Sequence, residues 1–221
     1  MRIDFHVHTK SSIDSTIDPK ALAKKSAALG IIPAIADHNS IDSHALMRSL
    51  KAPIIPAEEI FTDRGDLIGL YISELIPKKT PFLEAIDKIH AQGGLAYLPH
   101  MFDYGRSGKH ASEAEASKAD IIEVFNARCM RKEYNDKALA FASKHGLPGG
   151  AGSDSHFFFE FGSTYTDLPG LGRDDLGNPK ALLKALKSKT TGLETRKAPF
   201  FVRGTTTIVA MTRRLARALR K

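Results

Sequence analysis

Histidine and carboxylate side chains recur in one kind of place along this 221-residue chain, directly after a short apolar run. His6 and His8 follow Arg2–Phe5, and Asp37-His38 follow Ile31–Ala36. Glu58-Glu59 follow Pro53–Ala57, His100 follows Leu95–Leu98, and Asp154 with His156 follow Leu147–Ala151. Imidazole and carboxylate together are the ligand set of Zn²⁺, Mn²⁺ and Fe²⁺. The one cysteine, Cys129, excludes a thiolate zinc site and an internal disulfide. Asp14, in the loop after His8, can reach the same place. Asp66 joins it if the runs Pro53–Ala57 and Leu67–Ile72 form a hairpin, with a loop of about seven residues returning Asp66 to the side of Glu59. The candidate ligands are therefore His6, His8, Asp14, His38, Glu59, Asp66, His100, Asp154 and His156. A single ion uses about four to six ligands, so two or three ions are implied, with Glu59 or Asp154 as bridges. His44, His90 and His145 fall on predicted helices and are expected to face solvent, and His110 falls in a loop.

Such residues converge only if the runs before them are strands of one sheet. Helical periodicity separates those runs at Pro19–Leu29, Asp42–Lys51, Pro81–Gln92, Lys132–His145 and Pro179–Lys189. With Leu67–Ile72 and Ile121–Phe125, the strands number seven. Strands alternating with helices predict an α/β fold with a largely parallel sheet. A doubly wound sheet would carry a glycine-rich phosphate loop after its first strand, but here His-Val-His follows it. A distorted seven-stranded (β/α)7 barrel of the TIM-like type is expected, in one domain over 1–221. In such a barrel all the C-terminal strand ends face one rim, where active sites are built.

Charge is just as uneven. Residues 1–196 hold 25 Lys+Arg against 25 Asp+Glu, and the +7 excess falls entirely in the last 25 residues. A basic helix is predicted at about 205–221, with Ile208, Met211, Leu215 and Leu219 on one stripe and Arg213, Arg214, Arg217 and Arg220 around it. The stripe is expected to pack on the barrel with its arginines in solvent; the competing reading is a contact with RNA or DNA. No basic-then-apolar leader or long uncharged apolar run is present, so a cytoplasmic protein with no membrane partner is expected. The sequence does not fix an oligomeric state.

The motifs Asp4-Phe5-His6-Val7-His8-Thr9 with Ser12 and Asp14, Ala36-Asp37-His38-Asn39, Glu59-Ile60, Pro99-His100 and Gly152-Ser153-Asp154-Ser155-His156 together resemble those of the PHP (polymerase and histidinol phosphatase) family. The resemblance runs in order from residue 2 to about 167. It implies a distorted seven-stranded barrel that binds two or three divalent ions and hydrolyses phosphoesters. It also implies that His6, His8, Glu59 and Asp154 hold one ion, that Glu59 and His100 share a second, and that Asp14, His38 and His156 form a third site. Many members carry a histidine where Asp66 stands here, although aspartate still ligates hard ions.

Clustered cations neutralise an anionic phosphate and lower the pKa of bound water, so a metal-bound hydroxide attacking phosphorus in line is the expected mechanism. Glu59, Asp154 and His156 are the residues expected to act at the reacting atoms. Arg128, Arg106 and Lys109 are candidates to bind substrate phosphate, since the guanidinium fork suits phosphate oxygens. Asp37 is expected to orient His38 or a backbone group. The basic tail points toward nucleotide or short oligonucleotide substrates. Histidinol phosphate is the alternative substrate, and a non-catalytic, metal-stabilised nucleic-acid-binding module is the alternative class.

Overall fold

A computed structural model describes residues 1–106, 110–188 and 191–219. Lys109, Arg220 and Lys221 lie outside the described residues. Helix boundaries follow local chemistry. The Asp18 carboxylate caps α1 (Pro19–Leu29) by accepting from the Lys20 and Ala21 amides, Pro19 opens the first turn, and Gly30 ends it with φ 63°. The helices α2 (Asp42–Ser49), α3 (Phe82–Ala91), α4 (Glu113–Ala116), α5 (Lys132–His145), α6 (Pro179–Leu186) and α7 (Val202–Ala218) complete the set.

The strands β1 (Arg2–Val7), β2 (Ile31–His38) and β3 (Ile55–Thr62) pair in parallel. β4 (Gly65–Leu70) returns antiparallel from a tight hairpin and meets β5 (Leu95–Leu98), also antiparallel. β6 (Ile121–Asn126) and β7 (Gly149–Gly152) continue in parallel with β5. The sheet then curls back on itself. Val7 bridges Ser155 in parallel, and the His8 N–H donates to the Ser155 carbonyl at 3.0 Å. Toward the other end, β8 (Tyr165–Asp167) pairs with β1, and its Thr166 hydroxyl accepts from the Ala151 amide of β7. β9 (Gly192–Glu194) extends β8. The result is an α/β fold with a nearly closed, barrel-shaped sheet.

The seven predicted strands are present, and β8 and β9 are additions. Each has three residues, and β9 is exposed throughout, so neither carries a hydrophobic period. The third strand runs on to Thr62, which places Glu59 inside β3 rather than beyond it. The hairpin turn is therefore Asp63-Arg64 instead of a seven-residue loop, with Asp66 opposite Phe61 on β4.

Beneath the rim, the Phe5 and Tyr97 rings stack at 5.4 Å. Gly150 makes room for them: a side chain there would press into both rings. On the outside, α3 buries Phe82, Ala85, Ile86 and Ile89.

The C-terminal helix inverts its expected orientation. Ile208, Met211, Leu215 and Leu219 are 61–79% exposed, while Val202 and Thr206 on the other face are buried. Arg213 turns inward and donates to the carbonyls of Ser12, Ile13 and Ser15, and Arg203 pairs with Asp103 at 2.9 Å. Backbone acceptors in the loop after β1 thus hold the basic face down, and the apolar stripe faces away from the barrel.

Candidate metal centre

The predicted ligands come from six strands and their following loops, and the structure brings them together at one rim. His6 in β1 and His8 directly after it present their rings side by side with centroids 5.0 Å apart. His6 Nε2 lies 3.5 Å from Glu59 Oε1 and 3.8 Å from Asp154 Oδ1. His8 Nε2 lies 3.4 Å from Glu59 Oε2 and 3.5 Å from Asp154 Oδ1. His100 Nε2 stands 3.1 Å from Glu59 Oε1, and His38 Nδ1 2.8 Å from Glu59 Oε2. Asp14 Oδ2 lies between His38 Nε2 at 3.5 Å and His156 Nε2 at 3.2 Å. Asp66 joins Glu59 and His100, with ligand atoms within 4.8 Å of one another.

These separations fit coordination. With bonds of about 2.1 Å, neighbouring ligands around one ion stand about 3.0–3.4 Å apart. The hydrogen-bond pattern agrees. His6 Nε2, His8 Nε2, Asp14 Oδ1 and Asp154 Oδ1 are buried without a hydrogen-bond partner among the described residues. Polar atoms orphaned in this way are costly unless something else satisfies them. Here His6 Nε2 and His8 Nε2 stand 3.8 and 3.5 Å from Asp154 Oδ1, gaps too wide for hydrogen bonds and suited to an ion.

Neighbouring groups fix which ring nitrogen faces the centre. His6 Nδ1 lies 3.1 Å from Glu123 Oε1, and His8 Nδ1 3.2 Å from the Ser12 hydroxyl. With Nδ1–H donating outward in each ring, the Nε2 lone pair is directed inward. Glu123 also accepts from the His100 amide at 2.9 Å and from the Asn126 side chain. Gly152 lies so close that a Cβ there would collide with His6 and the Glu123 carboxylate. Two ligand positions carry backbone strain: His100 has φ 30° and Asp154 has φ 52°.

Charge is tightly coupled at this rim. Burial lowers the pKa of His6, but Asp154, Glu59 and Glu123 outweigh it and hold the ring well above the ordinary histidine value. Glu59 and Asp14 do the same for His38 against its burial. Burial and the neighbouring His156 and His38 push His8 well below that value. Burial disfavours the charged forms of Glu59 and Asp154. Nevertheless His38 and His6 hold Glu59 well below the carboxylate range, and Arg106 and His6 do so for Asp154. Burial and the Glu59 charge raise Asp66.

The candidate substrate cations separate. Arg106 Nη2 donates to Asp154 Oδ2 at 2.6 Å, with its guanidinium at the mouth. A cavity of about 20 Å³, room for one water-sized species, lies between Arg106, His100 and Asp66. Arg128, by contrast, is buried. Its guanidinium donates to Glu160 and to the Val202 carbonyl and stands 3.2 Å from His156 Nδ1. That engagement leaves no free fork for a phosphate. Asp37 accepts from Thr9, Ser12 and Ser43 and so fastens the loop that carries Asp14. His44 is buried rather than solvent-facing, with Nε2 3.0 Å from the Ala57 carbonyl. Sequence reasoning did not single out Glu123 or Asp103, and it gave Glu160 no role. An acid inside the apolar run Ile121-Ile122-Glu123-Val124-Phe125 was the available signal for Glu123.

A family model described as PHP-associated matches residues 132–191. The uncharacterized protein MJ0417 of Methanocaldococcus jannaschii is 39% identical over 203 residues, covering 87% of this chain and 82% of that protein. The chain belongs to the PHP family. The PHP fold extends to solved structures. One is a two-domain protein from Bacteroides vulgatus containing a predicted PHP-like metal-dependent phosphoesterase, with TM-score 0.68 and 17% identity. That likeness covers 89% of this chain, which spans 65% of the longer protein. Endonuclease Q, in complex with a 27-mer duplex substrate carrying an abasic lesion, matches with TM-score 0.56 and 14% identity. It covers 87% of this chain and 57% of that one. Among the described residues, no helix of this PHP protein is long and apolar enough to cross a membrane.

Proposed function

We propose that this PHP protein is a metal-dependent phosphoesterase acting on nucleotide or short oligonucleotide phosphates. The observation that carries the reading is the set of buried, unpartnered ligand atoms of His6, His8 and Asp154 gathered beside Glu59. In this reading His6, His8, Glu59 and Asp154 hold one ion, Glu59, His100 and Asp66 a second, and Asp14, His38 and His156 a third. Divalent ions of the Mn²⁺, Zn²⁺ or Fe²⁺ class, when bound, would neutralise phosphate charge and lower the pKa of a bound water toward neutrality.

The chain's own residues do the rest. Glu59 and Asp154 each face both His6 and His8 and frame the reacting centre. Asp14 orients His156 from 3.2 Å at its Nε2 edge. Arg106, which pairs with Asp154 and also donates to Asp103, is the guanidinium assigned to a phosphate oxygen. Arg128 supports His156 from behind and is a positioning residue instead of a substrate contact. The basic face of α7 over the rim favours nucleotides, as does the fold shared with an endonuclease.

The test is phosphate release by Mn²⁺-loaded protein from adenosine 3′,5′-bisphosphate and from histidinol phosphate, with Asp154→Ala as blank. Release from the bisphosphate that falls to the metal-only background in Asp154→Ala is expected. Preference for histidinol phosphate would overturn the nucleotide assignment. Equal release by Asp154→Ala would overturn the site itself.

A further inference from the structure

The four described arginines of α7 are used in two different ways. Arg203 pairs with Asp103, and Arg213 donates to three backbone carbonyls, so these two fasten the helix across the rim. Arg214 and Arg217 have no ion pair or hydrogen bond among the described residues, and both line a groove of about 1050 Å³. His38 and Asp66, from the edge of the candidate metal centre, line the same groove. Lys78 lines it too and is likewise unpaired among the described residues. Phe61 and Leu75 add apolar surface, Leu75 being half exposed.

Ligand sites for one small molecule span about 300–1,000 Å³, so this groove exceeds the need of a single phosphate ester. It gathers metal-ligating groups, apolar surface and unpaired cations in one place, with Asp42 as the acid besides Asp66. A phosphodiester strand presents the matching groups: a reacting phosphate, base faces and further phosphates. Unstacked bases lie on apolar side chains while the backbone follows cations, and only a single strand offers free base faces.

We infer that Arg214 and Arg217, with Lys78, form a second phosphate site that holds a single-stranded oligonucleotide at a phosphate beyond the reacting one. This deepens the phosphoesterase reading and rests on it for the identity of the reacting group. The inferred contact itself can be measured without turnover.

The experiment is fluorescence anisotropy of a labelled single-stranded DNA of about 12 nucleotides. It is titrated with the full chain in EDTA over a salt series, for wild type and the double variant Arg214→Gln, Arg217→Gln. Each phosphate contact on a single strand contributes about −0.7 to the slope of log K against log salt. The double variant is therefore expected to bind more weakly, with a slope shallower by about 1.4. Its thermal midpoint should stay at the wild-type value, because neither arginine has a partner to lose.

Unchanged affinity and slope would overturn the inference. Equal binding of the corresponding duplex through the same arginines would overturn the single-strand assignment. Wild-type hydrolysis of p-nitrophenyl phosphate with Mn²⁺ is assayed separately. Its absence would count against the phosphoesterase reading and leave the binding result standing.

Discussion

His6 and His38 face the same carboxylate, Glu59, under different conditions. His6 is fully buried, tied through Nδ1 to Glu123, and set on a strand bonded along both edges. His38 is 31% exposed, and its other neighbour, Asp14, comes from a loop held down by Asp37 below and Arg213 above. The inner wall is buried, and a hydrogen bond at the far atom of each side chain orients His6, His8 and Asp154. The outer edge is assembled from loop and helix and meets solvent at the groove. Chemistry that tolerates little displacement belongs on the first, and contacts that choose among substrates belong on the second.

The inner wall is broken most severely through Glu123. Glu123→Gln keeps the shape but removes the charge that orients His6, so Mn²⁺ affinity measured by calorimetric titration should fall about 10–100-fold. An unchanged affinity would mean that His6 is positioned by packing alone.

A smaller effect separates the two histidines by pH. Both rings have raised pKa values in the folded, metal-free protein. Their stabilisation is therefore complete below the ordinary value of 6.5 and is lost as pH rises through the raised values. Asp14, Glu59 and Asp154 are depressed, so their contribution holds above the ordinary carboxylate values and is lost as pH falls through the lowered ones. The melting temperature of metal-free protein should thus decline from pH 6.5 upward. Mn²⁺ should remove that decline, because ligation replaces the protons. His6→Asn should flatten the alkaline decline more than His38→Asn; equal flattening would erase the distinction between wall and edge.

The smallest effect tests the inverted helix. Leu215→Glu, on the outward stripe, should change stability by no more than about 0.5 kcal/mol in chemical denaturation. Val202→Glu, on the buried face, should cost about 1–3 kcal/mol or more. A large loss from Leu215→Glu would mean that the stripe is covered after all.

The strands and seven of the nine candidate ligands could be picked out because they depend on local pattern: an apolar run, then a polar residue at its end. Asp66 was legible once β3 and β4 were read as a hairpin, although the turn proved tighter than expected. The orientation of α7 was not legible. A stripe of Ile208, Met211, Leu215 and Leu219 reads as a packing face, and nothing near Arg213 announces partners in the loop at residues 12–15. Arg128 looked like a phosphate contact because its acceptor, Glu160, lies 32 positions away. His44 looked exposed because its acceptors are carbonyls of β2 and β3, invisible to any helical period. In each case the deciding partner was remote in sequence and often backbone.

Closure of the barrel joins Asp4 to Ser153, partners 149 positions apart. Contacts of such separation carry the largest loop-closure entropy and are slow to form. The candidate ligands straddle that joint, with His6 and His8 on one lip and Asp154 and His156 on the other. Divalent ions held between the two lips would clasp this joint and favour the closed barrel by mass action.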